Sequence, residues 1–304
     1  MLMIDRPRLA ALLPWKPLVA ALRDAFAEGC EAPPRHRHAL PRDGTLLLMP
    51  AWDSRFTGAK IVHVLPAARP AVQALYLLSD ATTGAPLALL DGGELTDRRT
   101  AAASALAACF LARPDSRRLL ILGSGKVARA LAECHAAHFP LAEIAIWSRA
   151  RANAEALAQA LAAHGLPARA AASPDPRGFD IVSAATLATA PLIAGAALDA
   201  GTHLDLVGAF RRDMREADAA AIARATLVVD TRAGALAEAG DVIQAIAEGA
   251  IGEGHIAADL AALCRGAHPG RRRADEITAF KSVGWAGEDL AAARLAYAAA
   301  TANT

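Results

Sequence analysis

The chain has 304 residues, of which 54% are hydrophobic and only 4% aromatic, and its formal net charge is +1. That length carries two domains, with cores built from small aliphatic side chains rather than from rings. The near-neutral charge gives no electrostatic case for a nucleic-acid or membrane-surface partner, and no apolar run reaches the length of a membrane span.

Asp5, Arg6 and Arg8 interrupt the first apolar residues, so no secretory leader is expected. Cys30, Cys109, Cys134 and Cys264 lie far apart without a CxxC pair. That argues against a disulfide framework or structural zinc and predicts a reducing, cytoplasmic setting, with each thiol a small buried hydrophobe. Pro17 fits the first turn of a helix running through Leu18, Leu22 and Phe26, with Gly29 beyond its end. His36 and His38 are two apart on an expected loop, which is not metal-ligand spacing, and no metal site is expected. Strands are predicted at residues 45–49, 61–65 and 72–78, then a turn over 80–84 and a returning strand at 86–90. Asp91-Gly92-Gly93 reads as a second turn, and Thr96 as the N-cap of a helix through Thr100, Ala103, Leu106 and Phe110. Arg113-Pro114-Asp115 reads as a linker.

From Arg117 onward strands and helices alternate. Strands are predicted at 119–122, 144–147, 180–183, 204–207 and 227–229, with helices at 126–137 and 153–164. This is the pattern of a Rossmann-type doubly wound parallel sheet. A basic stretch over 265–273 and a final helix over 290–300 follow. Arg271-Arg272-Arg273 reads as solvated chain rather than a nucleic-acid patch.

The most informative stretch is Leu119-Leu120-Ile121-Leu122-Gly123-Ser124-Gly125-Lys126-Val127-Ala128. A buried strand runs into Gly-x-Gly-x-x-Ala, which opens a helix. Gly123 permits a tight turn, Gly125 lets a pyrophosphate approach the backbone, and Ala128 lets the helix pack on the strand. The next strand ends in Trp147-Ser148-Arg149, without the acid that would bind a ribose 2′-hydroxyl. Ser148 and Arg149 suit a 2′-phosphate, so NADPH is the expected cofactor and NADH the second choice. Ala185-Thr186 and Val207-Gly208, after two later strands, place small residues where a nicotinamide ring would rest.

Several motifs together resemble the ornithine cyclodeaminase/mu-crystallin family. They are Pro33-Pro34-Arg35, Leu48-Met49-Pro50-Ala51, Gly58-Ala59-Lys60, Thr83-Gly84 with Leu89-Leu90-Asp91-Gly92, and Leu95-Thr96-Asp97-Arg98-Arg99-Thr100-Ala101-Ala102. Glu238-Ala239-Gly240-Asp241 and Thr278-Ala279-Phe280-Lys281-Ser282-Val283-Gly284 complete the set. The resemblance implies a smaller α+β substrate and dimerisation domain, residues 1–115 with 286–304, and a nucleotide domain, 116–285. It implies a homodimer joined through the sheet of the first domain. It also implies that Arg35 clamps a substrate carboxylate and that Lys60 is a charge partner or proton source. By the same resemblance Arg99 bridges cofactor phosphates and substrate, and Glu238 and Ser282 contact substrate, Ser282 also touching the nicotinamide.

Two positions depart from the cyclodeaminases. Phe210 stands where they carry an acid for the side-chain amine, and Ala71 replaces a polar residue. Val207-Gly208-Ala209-Phe210 with Met214-Arg215-Glu216 resembles the Δ1-pyrroline-2-carboxylate reductases instead. The expectation is therefore reduction of a small cyclic imino acid to L-proline or L-pipecolate, in proline metabolism. An ornithine cyclodeaminase, an amino-acid dehydrogenase and an NADPH-binding protein like mu-crystallin are the alternatives.

Overall fold

Asp5 opens the first helix by accepting from the Arg8 N–H at 3.0 Å, the cap expected of an acid at that place. In the computed structural model, which describes residues 1–65 and 67–302, the first elements are β1 (Leu2–Ile4), α1 (Arg6–Leu12), α2 (Trp15–Glu28), β2 (His36–Leu40), β3 (Gly44–Trp52), β4 (Phe56–Val64), β5 (Val72–Asp80) and β6 (Pro86–Asp91). Gly29 ends α2 with φ 80°, a conformation glycine adopts without strain. The six strands form one sheet in the order β1-β6-β5-β4-β3-β2, antiparallel except for the β1–β6 pair.

Strand alternation sorts this sheet into two faces. Met49, Lys60, Tyr76 and Leu90 stand in register across four strands and are all buried. One residue along, Ile61 and Leu75 point the other way and are 37% and 51% exposed. His36 and His38 lie on β2 rather than on a loop, because pairing with Leu48 and Leu46 of β3 outweighs their polarity.

The next helix, α3 (Gly92–Leu111), begins earlier than expected. Asp91-Gly92-Gly93 is its start, not a turn, and Thr96 is not its N-cap. Asp91 Oδ1 accepts from the Glu94 N–H at 2.6 Å, while the Thr96 hydroxyl donates to the Gly92 carbonyl at 2.7 Å. A Cβ at Gly92 would meet the Ala74 backbone at 2.6 Å, so only glycine lets the helix start against β5.

The following elements are β7 (Arg118–Leu122), α4 (Lys126–His138), β8 (Glu143–Trp147), α5 (Arg151–Ala162), β9 (Ala168–Ala170), β10 (Ile181–Ala184), β11 (His203–Leu206), α6 (Ala219–Arg224), β12 (Thr226–Val229), α7 (Arg232–Glu238), α8 (Gly240–Ala247), β13 (Ile256–Asp259), α9 (Leu260–Cys264) and β14 (Thr278–Lys281). All eight strands run parallel, in the order β13-β12-β14-β11-β10-β7-β8-β9. The order reverses at β7, which has β8 on one side and β10 on the other. A doubly wound sheet receives its ligand at the carboxyl ends of the strands beside such a reversal. Leu120, Leu122, Val182, Ala184, Leu204 and Leu206 form the centre of its core. β9, β13 and β14 are additional to the strands expected from the sequence.

The last helix, α10 (Ala286–Ala302), packs on α2 and on β3, β4 and β5. The chain divides into two compact units, Met1–Thr100 with Trp285–Thr304, and Ala101–Gly284. The division falls within α3 and not at the Arg113-Pro114-Asp115 linker. Of the four thiols only Cys134 is buried; Cys109 is exposed, and Cys30 and Cys264 are half-buried, so the expectation of four buried hydrophobes is corrected. Cys109 lies on an outward position of α3, where helical periodicity decides exposure. Among the described residues, no helix is long and apolar enough to cross a membrane.

Candidate active site

In the first unit, β4 carries Lys60 on its buried face, with the side chain only 2% exposed. An ammonium so placed costs several kcal/mol, on the order of a lost buried ion pair, unless it is paired. Its partner is Asp289 on the first turn of α10, at 2.9 Å from Oδ1 and 2.8 Å from Oδ2; Thr96 Oγ1 is a further acceptor at 3.3 Å. Arg99, on α3, is also buried. Its Nη1 donates to Glu288 at 2.6 Å and its Nε lies 3.2 Å from Asp289. Glu288 and Asp289 are fully buried.

Burial lowers the Lys60 pKa to about 8; Asp289 opposes the fall, and the neighbouring guanidiniums of Arg99 and Arg35 add to it. Arg35 is half-buried, immediately before β2. The fold thus brings Arg35, Lys60 and Arg99 into one electrostatic neighbourhood. Glu288 and Asp289 were not anticipated. Acids in the first turn of a helix are ordinarily read as favourable to its dipole, so nothing local marks these two as buried partners.

In the second unit, the glycine turn joins β7 to α4. Gly123 has φ 127°, and a Cβ there would lie 2.6 Å from the Ala185 carbonyl oxygen. Its N–H donates to the Trp147 carbonyl at 2.8 Å, and Ala185 N donates to Leu122 at 2.8 Å, so the turn is pinned to both neighbouring strands. Gly125 is different. It is extended at φ −83° and ψ −174°, and a Cβ there would meet nothing within 4 Å.

Among the described residues, no side chain caps α4. The amides of Lys126, Val127 and Ala128 are the first of that helix, where N–H groups lack intrahelical acceptors. An open cradle before an uncapped helix start fits a pyrophosphate. Ala128 is buried beneath it. The Ser124 hydroxyl donates to Ser148 Oγ at 3.0 Å, which brings the turn and the end of β8 together. Arg149 is exposed beside Ser148, and Arg151 pairs with Glu155 at 2.7 Å.

Thr186 follows β10 and donates from both its N–H and its hydroxyl to Glu216 Oε1, at 2.7 and 2.8 Å. Val207 and Gly208 follow β11, and both amides donate to the Ala184 carbonyl. Ser282, after β14, is 2% exposed and its hydroxyl donates to Asp230 Oδ2 at 3.1 Å. The same oxygen accepts from the Val283 and Gly284 amides at 2.7 Å. Glu238 is half-buried at the end of α7, and Phe210 is 40% exposed.

The parallel sheet, the glycine turn and the loops at its carboxyl edge define a dinucleotide-binding fold of the oxidoreductase kind. The sequence profile of the ornithine cyclodeaminase/mu-crystallin family matches residues 9–304, and the chain belongs to that family. It is 41% identical to the Delta(1)-pyrroline-2-carboxylate reductase of Paracoccus denitrificans, over 91% of this chain and 90% of that protein. It is 38% identical to the ketimine reductase mu-crystallin of Rattus norvegicus, over 75% of this chain and 70% of that one. Among solved structures, it resembles Thermococcus litoralis Delta(1)-pyrroline-2-carboxylate reductase in complex with NADH and L-proline. There the TM-score is 0.95 at 35% identity, covering 100% of this chain and 98% of the other. The chain is an oxidoreductase of this family.

Proposed function

We propose that the chain reduces the C=N bond of cyclic ketimino acids. Δ1-Pyrroline-2-carboxylate would become L-proline and Δ1-piperideine-2-carboxylate L-pipecolate, with NADPH as the preferred donor and NADH as the second. The observation that carries this reading is Lys60, a fully buried ammonium held by Asp289 and lowered to about 8 by burial and two neighbouring guanidiniums. Such a group exchanges a proton near neutral pH, as a general acid must.

Reduction of a ketimine needs one hydride on carbon and one proton on nitrogen. A bound nicotinamide supplies the hydride. Arg35 clamps the carboxylate, for which a planar two-pronged donor is suited. Lys60 gives its proton to the ring nitrogen as the amine forms, and Asp289 favours the return of a proton from solvent. Arg99 is assigned to bridge the cofactor phosphates and the substrate, and Glu238 and Ser282 to contact the substrate. On the cofactor side, Gly123 to Ala128 hold the pyrophosphate, Ser148 and Arg149 the 2′-phosphate, and Ala185, Thr186, Val207 and Gly208 the nicotinamide end. The names and bound ligands of the relatives support the same chemistry.

Phe210 weighs against cyclodeamination. That reaction needs an acid to handle the side-chain amine, and a phenyl ring neither accepts a proton nor pairs with an ammonium. The outward face of the six-stranded sheet, with Ile61 and Leu75 exposed, supports assembly as a homodimer.

The test is loss of nicotinamide absorbance from NADPH and from NADH with each ketimine, with ornithine plus NAD⁺ run in parallel. Rapid NADPH oxidation and no ammonia from ornithine is the expected result. Ammonia and proline from ornithine would replace this reading with cyclodeamination. Ligand-induced thermal stabilisation without turnover of any substrate would replace it with a binding role.

A further inference from the structure

Lys281, Glu216 and Asp241 form a charged cluster inside the second unit, with no residue of the three exposed to solvent at all (0%). Lys281 Nζ donates to the Gly208 carbonyl at 2.6 Å and lies 3.1 Å from Asp241 Oδ2. Asp241 Oδ1 accepts from the backbone amides of Glu216 and Ala217, at 2.7 and 2.9 Å. Glu216 Oε1 in turn accepts both Thr186 donors. One ammonium and two carboxylates therefore tie the loop after β10 and the loop after β11 to the last residue of β14.

Burying three charges is weak evidence for stability, since apolar side chains of the same volume often do as well or better. Their geometry suggests what they achieve instead. Gly208 has no spare room, because a Cβ there would collide with Glu216 Oε1 and the Thr186 carbonyl. The next residue, Ala209, holds φ 40°. A non-glycine residue in that region is strained and persists only where its surroundings over-determine it. The Ala209 carbonyl is itself held, by the Gly240 amide at 2.9 Å. Two further carbonyls of the same loop, those of Arg212 and Met214, accept from the Gln244 side chain at 2.9 and 3.0 Å. Burial pushes the Glu216 carboxyl up to about 7, Lys281 pulls against that rise and Asp241 adds to it, so the cluster is balanced by charges from β14 and α8.

Gly208 and Thr186 stand two residues beyond β11 and β10, at the carboxyl edge beside the reversal of strand order. We propose that Lys281 and Glu216 are positioning residues for hydride transfer, holding Gly208 and Thr186 as a fixed backbone rest for the nicotinamide end of the cofactor. This rests on the reading of the chain as nicotinamide-dependent. They act through the loops and not on the substrate. Displacing a bound ring by a fraction of an ångström changes the rate far more than it changes binding of the rest of the nucleotide.

The experiment compares dissociation constants for NADPH and for 2′-phospho-ADP-ribose, the same nucleotide without its nicotinamide; NADH and ADP-ribose are run alongside. Wild type, Lys281→Met, Glu216→Ala and Glu216→Gln are measured, together with kcat and the isotope effect from cofactor deuterated at the transferred position. Lys281→Met and Glu216→Ala are expected to weaken the nicotinamide-bearing cofactor about tenfold, leave the ring-less nucleotide unchanged, and raise the isotope effect on kcat. Glu216→Gln keeps an oxygen acceptor for Thr186 and is expected to stay close to wild type. Equal loss for both nucleotides, no loss for either, or Glu216→Gln as damaged as Glu216→Ala would overturn the proposal. Should Lys281→Met not fold, the two Glu216 variants decide. A wild-type protein that binds neither nucleotide would instead overturn the underlying reading.

Discussion

Lys60 shows how a single residue's environment sets its chemistry. Burial and neighbouring guanidiniums bring its pKa from 10.5 to about 8, although it remains paired with Asp289. If the ammonium is the proton source, activity is full below that value and is lost as pH rises through about 8. Stability moves the other way. Because the folded pKa lies below the unfolded one, the unfolded chain holds more protons between about 8 and 10.5, so the fold gains stability over that window. Alkaline loss of rate is therefore expected without any fall in Tm, and the two are separated by recording kcat and a melting curve at each pH. Lys60→Met removes the proton and leaves Asp289 with Arg99. It is expected to lower kcat/KM about 100-fold and to abolish the fall in rate near pH 8. A variant retaining wild-type rate and pH profile would remove Lys60 from the mechanism.

At the scale of an element, the two glycines of the β7–α4 turn serve different ends. Gly123 is required by the fold, since its φ of 127° and its approach to Ala185 both exclude a side chain. Gly125 is extended, and among the described residues nothing occupies the space where a Cβ would go. Gly123→Ala is thus expected to destabilise the fold by about 1–3 kcal/mol, the usual cost of such backbone strain, seen as a lower Tm, and to lose cofactor binding as well. Gly125→Val is expected to melt like wild type and still lose NADPH, because the added methyls fill the space a pyrophosphate needs. Thermal denaturation alongside cofactor fluorescence titration distinguishes them. A Gly125→Val protein that binds NADPH normally would show that the cradle is not used.

At the scale of the whole molecule, the six-stranded sheet buries one face under α10 and leaves Ile61 and Leu75 on the other. A second copy of the chain seated there would account for that face. Leu75→Glu together with Ile61→Lys is expected to convert a dimer to a monomer in light scattering, with the buried row of Met49, Lys60, Tyr76 and Leu90 untouched. A wild-type protein that is monomeric at all concentrations would sink the dimer proposal.

Elements with a strong local signal were legible in the sequence itself. Four apolar residues before Gly-x-Gly-x-x-Ala describe a strand, turn and helix because each step depends on neighbours in the chain, and the same holds for the short apolar runs bounded by turn residues in β3 to β6. Family resemblance, not spacing, drew attention to Arg35, Lys60 and Arg99. Tertiary structure decided what local pattern cannot hold. Asp91 and Gly92 start a helix instead of forming a turn because Gly92 presses on the backbone of β5. β14 enters the parallel sheet between β11 and β12, far from either in sequence, and so delivers Lys281 to Gly208 and Asp241. Glu288 and Asp289 become the buried partners of Arg99 and Lys60 only when α10 returns to the first sheet. The sequence alone determined the strand, glycine turn and helix of the nucleotide motif and the main strand runs of the first sheet. Which charges meet inside depended on contacts between distant segments, since a buried charge is tolerated only where the fold supplies its counterpart.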